Sequence, residues 1–439
     1  VAPTAPTGAM AGAGSIGGTM MRLNTQALKI TATDRVQIDN GGTALQSIDL
    51  DLTQRSYASA PLSNSYSFQG LGAGQVLQIS QGSYLTTINA TLPSVDFSLD
   101  INTRLQVNNL NTGAAGSVAL TTREAATGVN TSIGGTGAIT AGSIALGTTG
   151  DYASISARTA TANLALSSKG SIAVDNGGST LDSLSIEALH REYSQQNSYS
   201  VTSDGLTFSV SDSPSSSSVA GVTLTDVSTS ADLDFSFASD RALTVDNVQT
   251  GAGGSVTLQT DGTLYGTSTG TGGSNPGGAD ISTGDLTLIA GSVQGRYNEI
   301  PSRPLYISVN TLSSDVANNL WVSNDKDLAL LNNKAGSSAT VAVTSGSITQ
   351  SGTGRFVAPV LSLSAQQSIG TAGAAILTDT RRLTTRTGES LAVQNASNLF
   401  SLDVGVSHAT VGDKYLSVTA EGLSLDLGDN SNGVAMLVG

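Results

Sequence analysis

Carboxylates two residues apart recur along this chain, at Asp49/Asp51, Asp232/Asp234 and Asp325/Asp327. On a β-strand such pairs share one face, and two carboxyls roughly 5–10 Å apart are the equipment of glycoside hydrolysis. The plainer reading is a solvated outer face. The position matching Asp232 in an internal repeat is Ser94, so the pair is not a repeated feature. Nucleophilic catalysis has less behind it: no Gly-x-Ser-x-Gly occurs, and the two histidines, His190 and His408, lie in polar surroundings. Gly12-Ala13-Gly14-Ser15-Ile16-Gly17 fits Gly-x-Gly-x-x-Gly in form, but the strand-like Lys29–Thr33 follows it rather than a helix. Asp429–Gly433 and Asn324–Asp327 are rich in Asx residues yet lack the calcium-loop glutamate. With no cysteine, thiol chemistry and Cys-ligated metal are excluded. We expect no catalytic residue, no metal and no cofactor.

Aromatic rings offer a different chemistry. Tyr57, Tyr66, Tyr84, Tyr193 and Tyr199 are half of the chain's 10 tyrosines, gathered in two segments, 53–94 and 190–221. A tyrosine stacks its ring on a sugar face and adds a polar tip. The five are therefore candidate glycan-binding residues. The alternative use of the same rings is to cover an apolar flank.

The elements that would position these groups are short strands. Ser255-Val256-Thr257-Leu258, Thr340-Val341-Ala342-Val343 and Leu361-Ser362-Leu363-Ser364 alternate with period two, which turns one apolar face inward and one hydroxyl face outward. Asn40-Gly41-Gly42, Asn176-Gly177-Gly178 and Ser345-Gly346 interrupt the runs with residues that tolerate left-handed backbone. Amphipathic helix patterns are nearly absent.

The strands belong to repeats. Asp96–Leu120 and Asp234–Leu258 are identical at 13 of 25 positions, and Asp39–Ile48 matches Asp175–Leu184 at six of ten. Residues 1–146 and 147–290 read as two copies of one unit, with excursions at 53–94 and 190–221, and 291–439 as a diverged third segment. A unit that cannot bury its own inner face needs stacked neighbours. The expected fold is all-β: a right-handed parallel β-helix with roughly 20–25 residues per coil, the excursions folding back as hairpins. Stacked asparagines such as Asn109 and Asn247 would form internal amide ladders. A set of Ig-like sandwiches is the structural alternative; it needs hairpins and a buried Trp per domain, and Trp321 is the sole Trp.

Composition narrows the partners. Acidic residues number 33 against 19 basic, for a net charge of -14, which argues against nucleic acid and anionic membrane surfaces. Apolar runs are too short for a membrane helix, so no membrane insertion is expected. Charged residues are 12%, about half the usual quarter, and hydroxyl, amide and glycine residues take their place.

The runs Gly113–Leu120, Gly251–Leu258, Ser345–Gly373 and Leu383–Ser397 resemble the filamentous-haemagglutinin-type exoproteins of two-partner secretion. The likeness covers most of the chain and is one of solenoid texture. It implies a large β-helical adhesin, secreted to the cell surface of a Gram-negative bacterium through a dedicated outer-membrane transporter, and it implies a longer protein, since the family's N-terminal secretion motifs are not visible. The expected function is an extracellular adhesive shaft, not an enzyme, that attaches to a surface, a cell or an exopolysaccharide. A polysaccharide-degrading β-helix enzyme or tailspike and a passive spacer are the alternatives.

Overall fold

The computed structural model describes residues 9–11, 20–33, 35–53, 64–82, 84–124, 130–151, 153–189, 196–213, 221–268, 278–295, 303–371, 373–407, 416–421 and 423–427. Among them every regular element is a β-strand, and the pairings are mostly parallel. Parallel pairing is the reverse of what Ig-like sandwiches require. Trp321 is half-exposed rather than buried. The chain forms two compact units, 1–212 and 213–439.

In the first unit the alternation read from sequence becomes inward columns. Leu28, Ile48, Phe97, Val118, Ile144, Leu164 and Leu184 stand in register on successive neighbouring strands. Two residues further along each strand run Ile30, Leu50, Leu99, Leu120, Leu146, Leu166 and Ile186, and all fourteen side chains are buried. Fully burying a side chain of this size is worth about 1.5–3 kcal/mol. The third column starts apolar, with Leu52 and Ile101, and turns to Thr122, Thr148 and Ser168. There the Thr148 hydroxyl donates to Ser168 Oγ at 2.9 Å, while Thr122 and Ser168 donate to the carbonyls of Thr131 and Ala153, so the buried hydroxyls are satisfied. Partners Ile144, Leu164 and Leu184 are 20 residues apart in sequence. A second ladder carries Leu105, Ile133, Ile155, Ile172 and Tyr199 in register.

The first excursion contains an antiparallel meander. Asn64–Leu71, Val76–Gly82 and Leu85–Thr91 pair antiparallel in succession. Its outer strands join the parallel ladder, Val36 facing Tyr66 on one side and Leu105 facing Thr86 on the other. The meander is thus spliced into the sheet and not laid over it. In the second excursion Ser198–Thr202 extends the ladder in parallel from Ile172–Asp175, then pairs antiparallel with Leu206–Ser213.

The second unit repeats the scheme. Phe235, Val256, Leu286, Leu312 and Leu330 form one column. Leu320, Ala339, Leu361, Leu383 and Leu402 form another, and Leu328, Ile348, Ile369, Leu391 and Leu416 a third. The sequence repeat is reproduced down to single hydrogen bonds: Ser117 Oγ donates to Asp96 at 2.7 Å, and Ser255 Oγ donates to Asp234 at 2.7 Å.

Four buried asparagines clamp the turns. Each side chain takes the place of a neighbouring strand for the residue 15 positions earlier, accepting its N–H and donating to its carbonyl. Asn40 does this to Thr25, Asn176 to Thr161, Asn324 to Val309 and Asn395 to Thr380. Each amide also donates to a carbonyl of its own turn, such as Thr43 for Asn40 and Ser179 for Asn176. The two glycines after Asn40 and Asn176 have φ of 61° and 82°, and 59° and 75°, a conformation glycine adopts without a steric penalty. The preceding aspartates, Asp39 and Asp175, accept the N–H of Gly41 and Gly177 at 3.1 Å. Asn109 and Asn247, expected to form internal amide ladders, do not lie inside. They are half-exposed and bond instead to the Ala90 carbonyl and the Asp226 carboxylate.

Candidate functional site

Of the five tyrosines, Tyr57 and Tyr193 lie outside the described residues, as do His190, His408, Gly12–Gly17 and Asp429–Gly433. Tyr66 and Tyr199 are buried and offer no ring to a ligand, which corrects the reading of them as surface binders. Period two turns both rings inward, as it does Phe68 and Val201. Their hydroxyls are provided for inside: Tyr66 donates to Gln81 Oε1 at 2.8 Å, and Asn197 Nδ2 donates to the Tyr199 hydroxyl at 3.4 Å. Tyr84 is exposed, at the hairpin end between Val76–Gly82 and Leu85–Thr91, with φ of 61°.

The paired carboxylates are placed as their spacing implied only for Asp49/Asp51, which face outward from Ser47–Leu52. Asp51 lies in register with Asp100 on the next strand. Arg123 bridges them, Nη2 donating to Asp51 at 2.5 Å and Nε to Asp100 at 2.7 Å. Lys29 donates to Asp49 at 2.6 Å. Burial raises the Asp100 carboxyl above its ordinary value, and the Arg123 guanidinium opposes that rise. The guanidinium fills the gap between the two carboxylates. Asp232 precedes its strand and accepts the Gly253 N–H at 2.9 Å, while Asp327 accepts the Ser347 N–H at 2.7 Å. Asn324 and Asp325–Asp327 form a clamped turn, and no cluster of three or more metal-ligating side chains occurs among the described residues.

One buried acid went unnoticed in the sequence. Asp280 is fully buried, and its carboxylate accepts N–H bonds from Thr267 at 2.8 Å, Ser268 at 2.7 Å and Tyr306 at 3.0 Å. Burial pushes its pKa up from 3.8 to about 6; the three N–H groups oppose the rise and the nearby Asp246 adds to it. The folded chain therefore binds a proton at this group between pH 4 and 6 that the unfolded chain does not, and the contribution of Asp280 to stability rises as pH falls through that window. We expect the second unit to resist urea better at pH 5 than at pH 7, with this group contributing on the order of 1 kcal/mol to the difference. Asp280→Asn should abolish the difference. A midpoint that falls on acidification equally in both proteins would refute the assignment.

A concave surface suited to a ligand lies on the meander. Its outward face forms an open trough of about 530 Å³ lined by Ser67, Gln69, Gln78, Ser80, Thr87, Asn89 and Asn108 above the buried Ile79 and Ile88. No charged side chain lines it. Register sets the polar groups in rows across the strands: Gln37, Ser67, Gln78 and Asn89 form one, and Ser80, Thr87 and Gln106 the next. Cross-strand bonds order them, Asn89 Nδ2 to Gln78 Oε1 at 3.2 Å and Ser80 with Thr87 at 2.5 Å.

No family model, curated protein or solved structure matches this chain. The functional reading therefore rests on the residues and their arrangement.

Proposed function

We propose that this chain is an adhesive shaft of the filamentous-haemagglutinin-like kind, in which the parallel ladders are the coils of a right-handed β-helix. On this reading it is secreted through an outer-membrane partner transporter and acts at the surface of a Gram-negative cell, attaching it to another surface, another cell or an exopolysaccharide. The observation that carries the proposal is the run of seven in-register strands in the first unit, with buried apolar columns inside. The right-handed sense follows the general preference for crossovers between parallel strands. Outside, the later of these strands present small, uncharged residues, such as Ala119, Ala145, Ala165 and Ser185 in one row and Thr121, Gly147 and Ser167 in the next, while the earlier strands carry Lys29, Asp49, Asp51 and Asp100. Such a lattice suits many weak contacts whose summed strength exceeds any one of them.

The test is adhesion under flow. Beads coated with the purified chain should be retained on a bacterial exopolysaccharide film several-fold more than beads coated with albumin. Retention no better than albumin on exopolysaccharide and on cell monolayers would leave only a passive spacer.

A further inference from the structure

The meander trough has the chemistry of a binding site for a particular class of ligand. We propose that it binds an uncharged oligosaccharide segment, with Gln78 and Asn89 as the central contacts. This rests on the attachment reading above and narrows it to one place and one ligand chemistry.

Three observations carry it. First, the volume of about 530 Å³ lies within the roughly 300–1,000 Å³ of small-molecule sites. Second, its polar groups are amides and hydroxyls, which both donate and accept, as sugar hydroxyls do. A carboxylate or sulfate on the ligand would find no cation in this lining and would lose its hydration without compensation. Third, the hydrogen bonding within the trough is incomplete in a useful way. The bond from Asn89 Nδ2 to Gln78 Oε1 leaves the Gln78 amide nitrogen and the Asn89 carbonyl without a partner among the described residues. A donor and an acceptor thus sit side by side on neighbouring strands, in register at Gln78↔Asn89. Adjacent hydroxyls of one pyranose ring can satisfy both at once.

The site is also preorganised. Ile79, which follows Gln78, and Ile88, which precedes Asn89, are in register and buried beneath it, so the backbone carrying Gln78 and Asn89 is fixed by the core. A rigid array of this kind loses little conformational freedom when it binds.

Affinity electrophoresis of the full chain tests the proposal, in native gels containing dextran, laminarin or galactomannan as neutral probes and alginate or heparin as acidic ones. At least one neutral polysaccharide should retard the chain, and Gln78→Ala/Asn89→Ala should weaken that retardation at least five-fold. Gln249→Ala, in the other unit, should leave it unchanged. Circular dichroism of the double variant guards against loss of fold, and Asn89→Asp, which adds charge at constant shape, should give the same loss. Retardation by acidic polysaccharides alone, or retention equal in the double variant, would overturn the trough while leaving the attachment reading standing. No retardation by any probe would overturn the trough too, and bead retention under flow then decides the attachment reading separately.

Discussion

Asn176→Ala is expected to lower the unfolding free energy of the first unit by about 3–4 kcal/mol, a large loss for one polar side chain. The side chain accepts the Thr161 N–H at 3.2 Å and the Thr159 hydroxyl at 2.8 Å. It donates to the carbonyls of Thr161 at 3.0 Å and Ser179 at 3.2 Å. Asn176 is fully buried and Thr161 nearly so, so water cannot replace these partners. Each buried group left unpaired costs about 1–3 kcal/mol. Asn176→Asp should be no milder, because a carboxylate has no donor for the two carbonyls. Urea titration with an unchanged m-value checks the prediction. The exposed Asn108→Ala is the control and should cost under about 0.5 kcal/mol. A loss below about 1 kcal/mol for Asn176→Ala would mean that the clamp is ornamental.

Phe97→Ala is expected to cost about 3–5 kcal/mol, the range for removing a buried ring from a core that cannot close around the gap. Phe97 is 1% exposed and sits in its column between Ile48 and Val118. The strands on both sides are held by their own ladders, so collapse is limited. In a stacked array each strand touches only its neighbours. The damage should therefore appear first in the strands Ser47–Leu52, Asp96–Ile101 and 118–122. Hydrogen exchange should show protection lost there and kept at Ser183–Ala188. Uniform loss across the first unit would show instead that it unfolds as one cooperative block. Phe235 holds the equivalent place in the second unit, facing Val256, and the same substitution there should behave alike.

Much of this architecture is legible in the sequence. Period-two alternation in segments such as Ser338–Val343 and Val360–Ala365 identifies strands and their inward residues. The match of Asp96–Leu120 to Asp234–Leu258 anticipates equal geometry, and the paired Ser117–Asp96 and Ser255–Asp234 bonds display it. The Asp-Asn-Gly-Gly turns were visible as turns, but the inward role of Asn40 and Asn176 was not. Their partners lie 15 residues back, a separation that no local pattern marks. A signal for the tyrosines did exist. Asn64-Ser65-Tyr66-Ser67-Phe68 and Asn197-Ser198-Tyr199-Ser200-Val201 both alternate and both carry an asparagine two residues before the ring. Weighing the ring's chemistry above the strand's period hid its burial. Asp280 carried no signal at all: its environment is assembled from Thr267, Ser268 and Tyr306, and three backbone N–H groups leave no trace in residue types. The trough likewise depends on cross-strand register, which alternation alone does not supply.

Parallel, in-register stacking is the claim on which the shaft reading depends, and the absence of native cysteine makes it directly measurable. Ala119, Ala145, Ala165 and Ser185 occupy one outward row on four successive strands. Neighbouring strands lie about 4.8 Å apart, within the roughly 4.4–6.8 Å that a disulfide spans between Cα atoms, whereas positions two strands apart lie beyond its limit of about 7 Å. Under mild oxidation Ala145→Cys/Ala165→Cys should close to an intramolecular disulfide, and Ala119→Cys/Ala165→Cys should stay reduced. A neighbouring pair that stays reduced, or a two-strand pair that closes as readily, would contradict the stacking and the shaft reading built on it.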